Sequence, residues 1–144
     1  MNDLELDERL QADTFPVTEL PLCRVLLMDD ARFPWIILVP RRPAVREVFE
    51  LCEEDQRQLW REATAIGEVM KADCHGDKLN IATLGNVVEQ LHVHVVIRRK
   101  DDAAWPAPVW GQGSAEPYGK NGLAAMRDHL LAQIEGLQLD SQPS

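Results

Sequence analysis

The chain has no apolar run longer than Trp35–Val39, far short of the ~20 residues needed to span a bilayer, so no membrane-spanning helix is expected. It also lacks a basic opening followed by an apolar stretch. It begins MNDLELDERL instead, which predicts a cytoplasmic protein with no secretory leader. Positive charge is scarce: 15 Lys and Arg against 24 Asp and Glu leave a formal charge of −9. That excludes a broad affinity for DNA or RNA, because counterion release needs Lys and Arg clustered against many phosphates. A small phosphorylated ligand stays compatible, since a few local donors suffice. The three cysteines, Cys23, Cys52 and Cys74, have no short pair spacing. Neither a disulfide framework nor a cysteine-based zinc site is expected, and the three are read as reduced thiols. No repeat or low-complexity block is present.

What is there fits one soluble domain. The chain has 144 residues, 45% hydrophobic and 27% charged, enough for a single core. We place the domain at residues 1–135 and a flexible tail at 136–144. Residues 1–20 read as a short helix or loop. Leu22–Met28 and Trp35–Val39 are short apolar runs with β-branched content and read as two antiparallel strands. Over residues 53–71, Leu59, Ala63, Ile66 and Met70 recur at helical spacing. Glu53, Glu54 and Asp55 sit at the start of this helix, Lys71 at its end, and Gly76 as its stop. Residues 78–83 predict a strand, and 87–98 a long one. The stretch 101–119 holds three prolines, three glycines and two tryptophans, which break regular structure and mark a functional loop. Residues 120–135 then predict a terminal helix with Leu123, Met126, Leu130 and Ile134 on one stripe. The class is α+β, with an antiparallel sheet of about five strands, one central helix and a C-terminal helix.

The chemistry concentrates in the last strand. There Gln90, His92 and His94 alternate with Leu91, Val93 and Val95. Alternation predicts three hydrogen-bonding side chains on one face, roughly 7 Å apart by strand rise, which suits a phosphate. Neutral imidazole, with an ordinary pKa of ~6.5, is a nucleophile at pH 7 and a leaving group from phosphorus. Two other readings of the same spacing stay open. His-x-His also ligates metals, with His75, Asp77 or Glu89 as further ligands. Two strand histidines can also simply face solvent.

The stretch Gly85-Asn86-Val87-Val88-Glu89-Gln90-Leu91-His92-Val93-His94-Val95-Val96 resembles the signature of the histidine triad family, His-φ-His-φ-His-φ-φ with φ apolar. Ile36–Arg41 resembles the apolar run and Pro-Arg that precede the family's central helix. The resemblance covers about Leu22 to Trp105. Three positions depart from it: Gln90 stands for the first histidine, Val87 for a hydroxyl residue, and Trp35 for a supporting histidine of the earlier strand.

The resemblance implies a fold, an activity and a set of roles. His92 is the nucleophile that attacks the α-phosphorus, while His94 and Gln90 hold the non-bridging oxygens. No metal or cofactor is required. Asp29 or its neighbour Asp30 takes the ribose hydroxyls, and Asn80 and Asn86 lie near the phosphates. Of the basic residues, Arg98 is expected to steer the anion, because it continues the face of His92 and His94. Trp105, with Trp110, covers a nucleobase or a subunit contact. The implied substrate is a dinucleoside polyphosphate or a nucleoside phosphoramidate, and the implied partner a second copy of the chain in a homodimer. A nucleotidyl transferase and a nucleotide-binding protein without turnover are the rival functions.

Overall fold

A computed structural model describes residues 4–140. The chain runs α1 (Glu8–Asp13), β1 (Thr14–Glu19), β2 (Cys23–Met28), β3 (Trp35–Pro40), α2 (Glu53–Asp73), β4 (Lys78–Ala82), β5 (Val93–Arg98) and α3 (Lys120–Glu135). The five strands form one antiparallel sheet in the order β1-β2-β3-β5-β4. The α+β class is therefore as expected. Among the described residues no helix is long and apolar enough to cross a membrane.

Strand β3 lies mid-sheet and all six of its residues are buried, which is why its sequence is apolar throughout instead of alternating. One sheet face carries Val25, Ile36, Leu38, Val93, Val95 and Ile97 against α2 and α3. The predicted α2 stripe of Leu59, Ala63, Ile66 and Met70 is the part of that helix that fills this layer. The opposite face carries Leu26, Trp35, Ile37, Val39 and Val96, under Leu10 of α1 and Val109 of the 101–119 loop. Side chains of β5 thus divide by parity, and His94 falls on the second face beside Trp35 and Val96.

The structure corrects the sequence reading in four places. Residues 14–19 form an edge strand, because Thr14, Phe15, Val17 and Thr18 favour extended backbone. Pro16 is tolerated there beside an irregular register between Pro16 and Thr18. The last strand starts at Val93, and residues 87–92 approach it as irregular backbone after a bend in which Gly85 takes a φ of 76°. Helix α2 stops as expected near Gly76, yet the left-handed residue is His75, at φ 53°. Gly76 is required for space: a Cβ there would meet Ile97 Cγ2 at 2.5 Å. Finally, the segment read as tail docks as far as Leu139, which is buried and whose carbonyl accepts from Gln58 Nε2 at 2.6 Å.

A buried polar clamp fastens β2 to both neighbours. Glu62, fully buried on α2, accepts from the amides of Leu22 and Cys23 and from Gln58 Nε2. Arg41, after β3, donates to the carbonyls of Leu20, Pro21 and Leu22 on the other side of the same turn. Arg42 pairs with Asp55. Burial first, and then the neighbouring Glu62, push the Cys23 thiol far up, so it stays a neutral core thiol.

Candidate active site

A cleft of about 330 Å³ opens on the second sheet face. Its walls are α1 (Arg9, Leu10, Asp13), β2 and β3 (Met28, Trp35, Ile37), the bend 84–88, Trp110, and the two histidines. His92 and His94 are 6% and 5% exposed, so each is open to the cleft and otherwise enclosed. Their ring centroids lie 4.9 Å apart.

Hydrogen bonds determine the proton positions on both rings. His92 Nδ1 lies 2.7 Å from the backbone carbonyl of Gln90. A carbonyl only accepts, so Nδ1 carries the proton and Nε2 keeps its lone pair. His94 Nδ1 lies 3.0 Å from Trp35 Nε1. An indole N–H only donates, so His94 Nδ1 is the acceptor and the ring proton sits on Nε2. The site therefore pairs a nucleophilic nitrogen on His92 with an N–H donor on His94. Such a pair can attack an electrophilic centre such as phosphorus while donating to the oxygen beside it.

Burial, with His92 adding to it, pushes the His94 pKa down to about 3. An unfolded imidazole binds its proton near ~6.5, whereas this one in the folded chain does not until far lower, so acid favours unfolding. Between pH 6.5 and about 4 this group removes about 1.4 kcal/mol of stability per pH unit. Denaturant titrations at pH 7 and pH 5 should differ by roughly 2 kcal/mol, and a His94→Gln variant should lose most of that difference. Equal pH dependence in variant and parent would refute this assignment.

The other residues expected at the site divide into three groups. Asn86 reaches the cleft rim in the bend and is exposed. Asp29 lines an adjoining hollow that shares Asp13, Met28, Trp35 and Trp110 with the cleft, and its Oδ1 accepts from the Tyr118 amide at 2.8 Å. Its neighbour Asp30 is buried against Arg32 and accepts from that residue's guanidinium.

Gln90 is not on the face of His92 and His94, because the strand has not yet begun there. Its amide clasps the N-terminal segment: Oε1 accepts from the Asp7 amide at 2.8 Å, and Nε2 donates to the Glu5 carbonyl at 3.0 Å. This clasp holds residues 5–7 just ahead of α1, and so positions Arg9 at the cleft. Gln90→Ala should cost about 1–2 kcal/mol and speed hydrogen exchange at Asp7. Unchanged exchange there would show that the clasp does not hold the segment.

Asn80, Arg98 and Trp105 form a separate cluster that does not line the cleft. Arg98 is 2% exposed, so its expected role in steering an anion is corrected to a structural one. It donates twice to Asp102, once to Asn80 Oδ1 and once to the Ala107 carbonyl, with its guanidinium over the rings of Phe33 and Trp105. Burial works against ionising Asp102. The Arg98 guanidinium and the amides of Arg99, Ala104 and Trp105 outweigh it and hold the pKa down to about 2. A buried charge needs such a partner, and here the pair pins the 101–119 loop onto the sheet.

Arg9 is a cleft residue that the sequence did not place there, while Trp35, at the position of the family's supporting histidine, and Trp110, expected over a nucleobase or a subunit contact, both line it. Trp110 packs edge-on to His94, with ring centroids 5.1 Å apart, and to Trp35 at 6.0 Å. Arg9 is exposed and makes no ion pair among the described residues. Neither its distance along the chain nor its context in an acidic segment signals the cleft. Among the described residues no group of three or more His, Cys, Asp or Glu side chains is placed to hold a metal.

Comparison with known proteins bears on this arrangement. A Bis(5'-adenosyl)-triphosphatase of Dictyostelium discoideum is 31% identical over 97 residues, covering 64% of this chain and 64% of that protein. This chain therefore spans just under two thirds of that relative's length. A histidine triad protein from Marinobacter aquaeolei VT8 is 46% identical, covering 93% of this chain and 98% of the solved chain, with a TM-score of 0.90. One from Sinorhizobium meliloti 1021 is 44% identical, covering 92% and 98%, also with a TM-score of 0.90. The HIT domain model matches residues 9–101, well over half of the sequence. The chain belongs to the HIT domain family, the histidine triad proteins.

Proposed function

We propose that the protein is a nucleotide hydrolase that cleaves a dinucleoside polyphosphate or a nucleoside phosphoramidate at its α-phosphorus through a covalent intermediate on His92. The observation that carries this reading is the bond from His92 Nδ1 to the Gln90 carbonyl, which leaves the Nε2 lone pair free beside His94 in the cleft.

In the first step Nε2 of His92 forms a bond to the α-phosphorus. The bond from phosphorus to the bridging oxygen or nitrogen breaks, and the leaving group departs with the bonding pair. In the second step water attacks the same phosphorus, gives up a proton to solvent, and the N–P bond breaks to return the lone pair to His92. Nε2–H of His94 meets the charge that grows on a non-bridging oxygen, and a donor aimed at such charge is worth several kcal/mol in a dry site. Arg9 and Asn86 are the polar groups at the cleft edge that suit phosphate. Asp29 suits the ribose hydroxyls from the adjoining hollow. A homodimer and a cytoplasmic location complete this reading. The relative named as a triphosphatase supports a dinucleoside polyphosphate as the first substrate to try.

The test is to mix the protein with diadenosine tetraphosphate and, separately, with an adenosine phosphoramidate, and to look by mass spectrometry for an acid-labile nucleotidyl adduct beside AMP release. An adduct that forms with either substrate supports the hydrolase. AMP binding with no adduct and no release from either overturns it in favour of a binding protein. Passage of the nucleotidyl group to an added acceptor in preference to water overturns it in favour of a transferase.

A further inference from the structure

Trp35 lines the cleft beside His94 and makes a hydrogen bond on which the site's chemistry depends. Its indole Nε1 is 3.0 Å from His94 Nδ1, and the two rings lie 5.8 Å apart with an interplanar angle of 55°. Trp35 is 6% exposed, enclosed by Phe33 and Trp110 edge-on and paired across the sheet with Val96. Its ring therefore has no room to turn its N–H elsewhere.

A neutral imidazole has two tautomers. Which one it adopts depends on the partner of the other nitrogen. A hydroxyl, a water or another histidine can serve as donor or as acceptor, so any of these would leave the choice open. An indole N–H cannot accept. We propose that Trp35 is a positioning residue that locks His94 in the Nε2–H tautomer, making it a permanent neutral donor to a phosphoryl oxygen at the cleft. This rests on the hydrolase reading only for what the donor meets, not for the tautomer itself.

The charged and titratable groups that bear on His94 from each side agree with a neutral ring. His92 faces it from the chain just before β5, and Arg9 of α1 lines the same cleft. Both oppose a positive charge on His94. Among the described residues Asp13 of α1 is the one carboxylate lining that cleft, and it makes no hydrogen bond or ion pair with either histidine. Trp110 from the loop and Ile37 and Ala82 from the flanking strands supply no charge.

The lock is directly observable. In protein labelled with nitrogen-15 at histidine, two-bond proton–nitrogen correlations distinguish a protonated ring nitrogen from a bare one, and the His94 signals are those missing from a His94→Gln sample. We expect Nδ1 bare and Nε2 protonated from pH 5 to pH 8. Signals showing Nδ1 protonated, or a ring that takes up a second proton near pH 6, would overturn the proposal whether or not a Trp35 variant folds.

Trp35→Phe keeps the ring and removes the donor. In that variant His94 should populate both tautomers, and kcat at pH 8 should fall to the fraction that keeps the Nε2 proton, about half where the two are equally populated. Burial still keeps that ring from taking a second proton, so the loss should persist down to pH 6 while the His94 signals change. A loss of activity with the His94 signals unchanged would make Trp35 a packing residue and overturn the proposal. The parent spectrum needs no substrate. The expected tautomer without any turnover would therefore overturn the hydrolase alone, and turnover with Nδ1 protonated would overturn the lock alone.

Discussion

His92→Ala should lower turnover of a dinucleoside polyphosphate by a factor on the order of 10⁴ or more while leaving AMP binding within a few-fold of the parent. Both halves of that expectation come from the geometry. On the proposed mechanism the ring contributes a nucleophilic Nε2, and its loss would remove the covalent route altogether, leaving only what positioned donors do for direct attack by water. Apart from the histidines, the cleft is walled by α1, the end of β2, the start of β3, the bend and Trp110. Truncation to Ala also opens space beside His94. Added imidazole should therefore restore part of the activity, which a collapsed site would not permit. Steady-state kinetics and a binding titration on one preparation check the pair. Full loss of AMP binding would mean that His92 supports the cleft as well as the chemistry. Activity within tenfold of the parent would rule out covalent catalysis by this residue.

The second large effect concerns the fold. Glu62→Leu should destabilise the protein by about 3–5 kcal/mol, because the amides of Leu22 and Cys23 and one hydrogen of Gln58 would be left buried without an acceptor. Each unpaired donor costs roughly 1–3 kcal/mol, and no water reaches a side chain that is 0% exposed. Glu62→Gln should cost less, about 2–3 kcal/mol. Its carbonyl oxygen still accepts from one amide, but its NH₂ faces the other, donor against donor. The order Glu, Gln, Leu in thermal midpoint is thus the signature of a backbone-capping carboxylate, with a fall of roughly 10 °C for the leucine variant. A Gln variant as stable as the parent would mean that a single acceptor satisfies the turn.

Much of the fold could be read from the sequence, and the reasons differ by element. Helix α2 announced itself through both its stripe and its charged ends, two independent signals that agree. Strand β3 was visible because a strand covered on both faces must be apolar throughout. Strand β1 was not, since an edge strand with a proline and one exposed side carries little periodic signal. At the site, His92 and His94 were legible because local alternation alone puts the second on the sheet face and the first at its mouth. Gln90 was misplaced for a local reason: alternation was extended three residues beyond the point where pairing with β3 and β4 begins. Arg98 was misjudged because charge in a sequence says nothing of a partner four residues on that can follow it into the core. Arg9 reaches the cleft only through tertiary contacts, which no pattern within α1 encodes.

The Gln90 clasp, with the packing of Leu4, Leu6 and Leu10 on the sheet, docks the N-terminal segment as one wall of the cleft. A site with a detachable wall has an apparent dissociation constant equal to the intrinsic one divided by the fraction of molecules in which the wall is docked. Occupancy of the clasp then sets affinity in proportion, and any change that halves the docked fraction doubles the concentration of ligand required. A substitution among residues 5–7, or bulk fused ahead of them, would thus register as weaker binding without altering a single atom that lines the cleft beyond that wall.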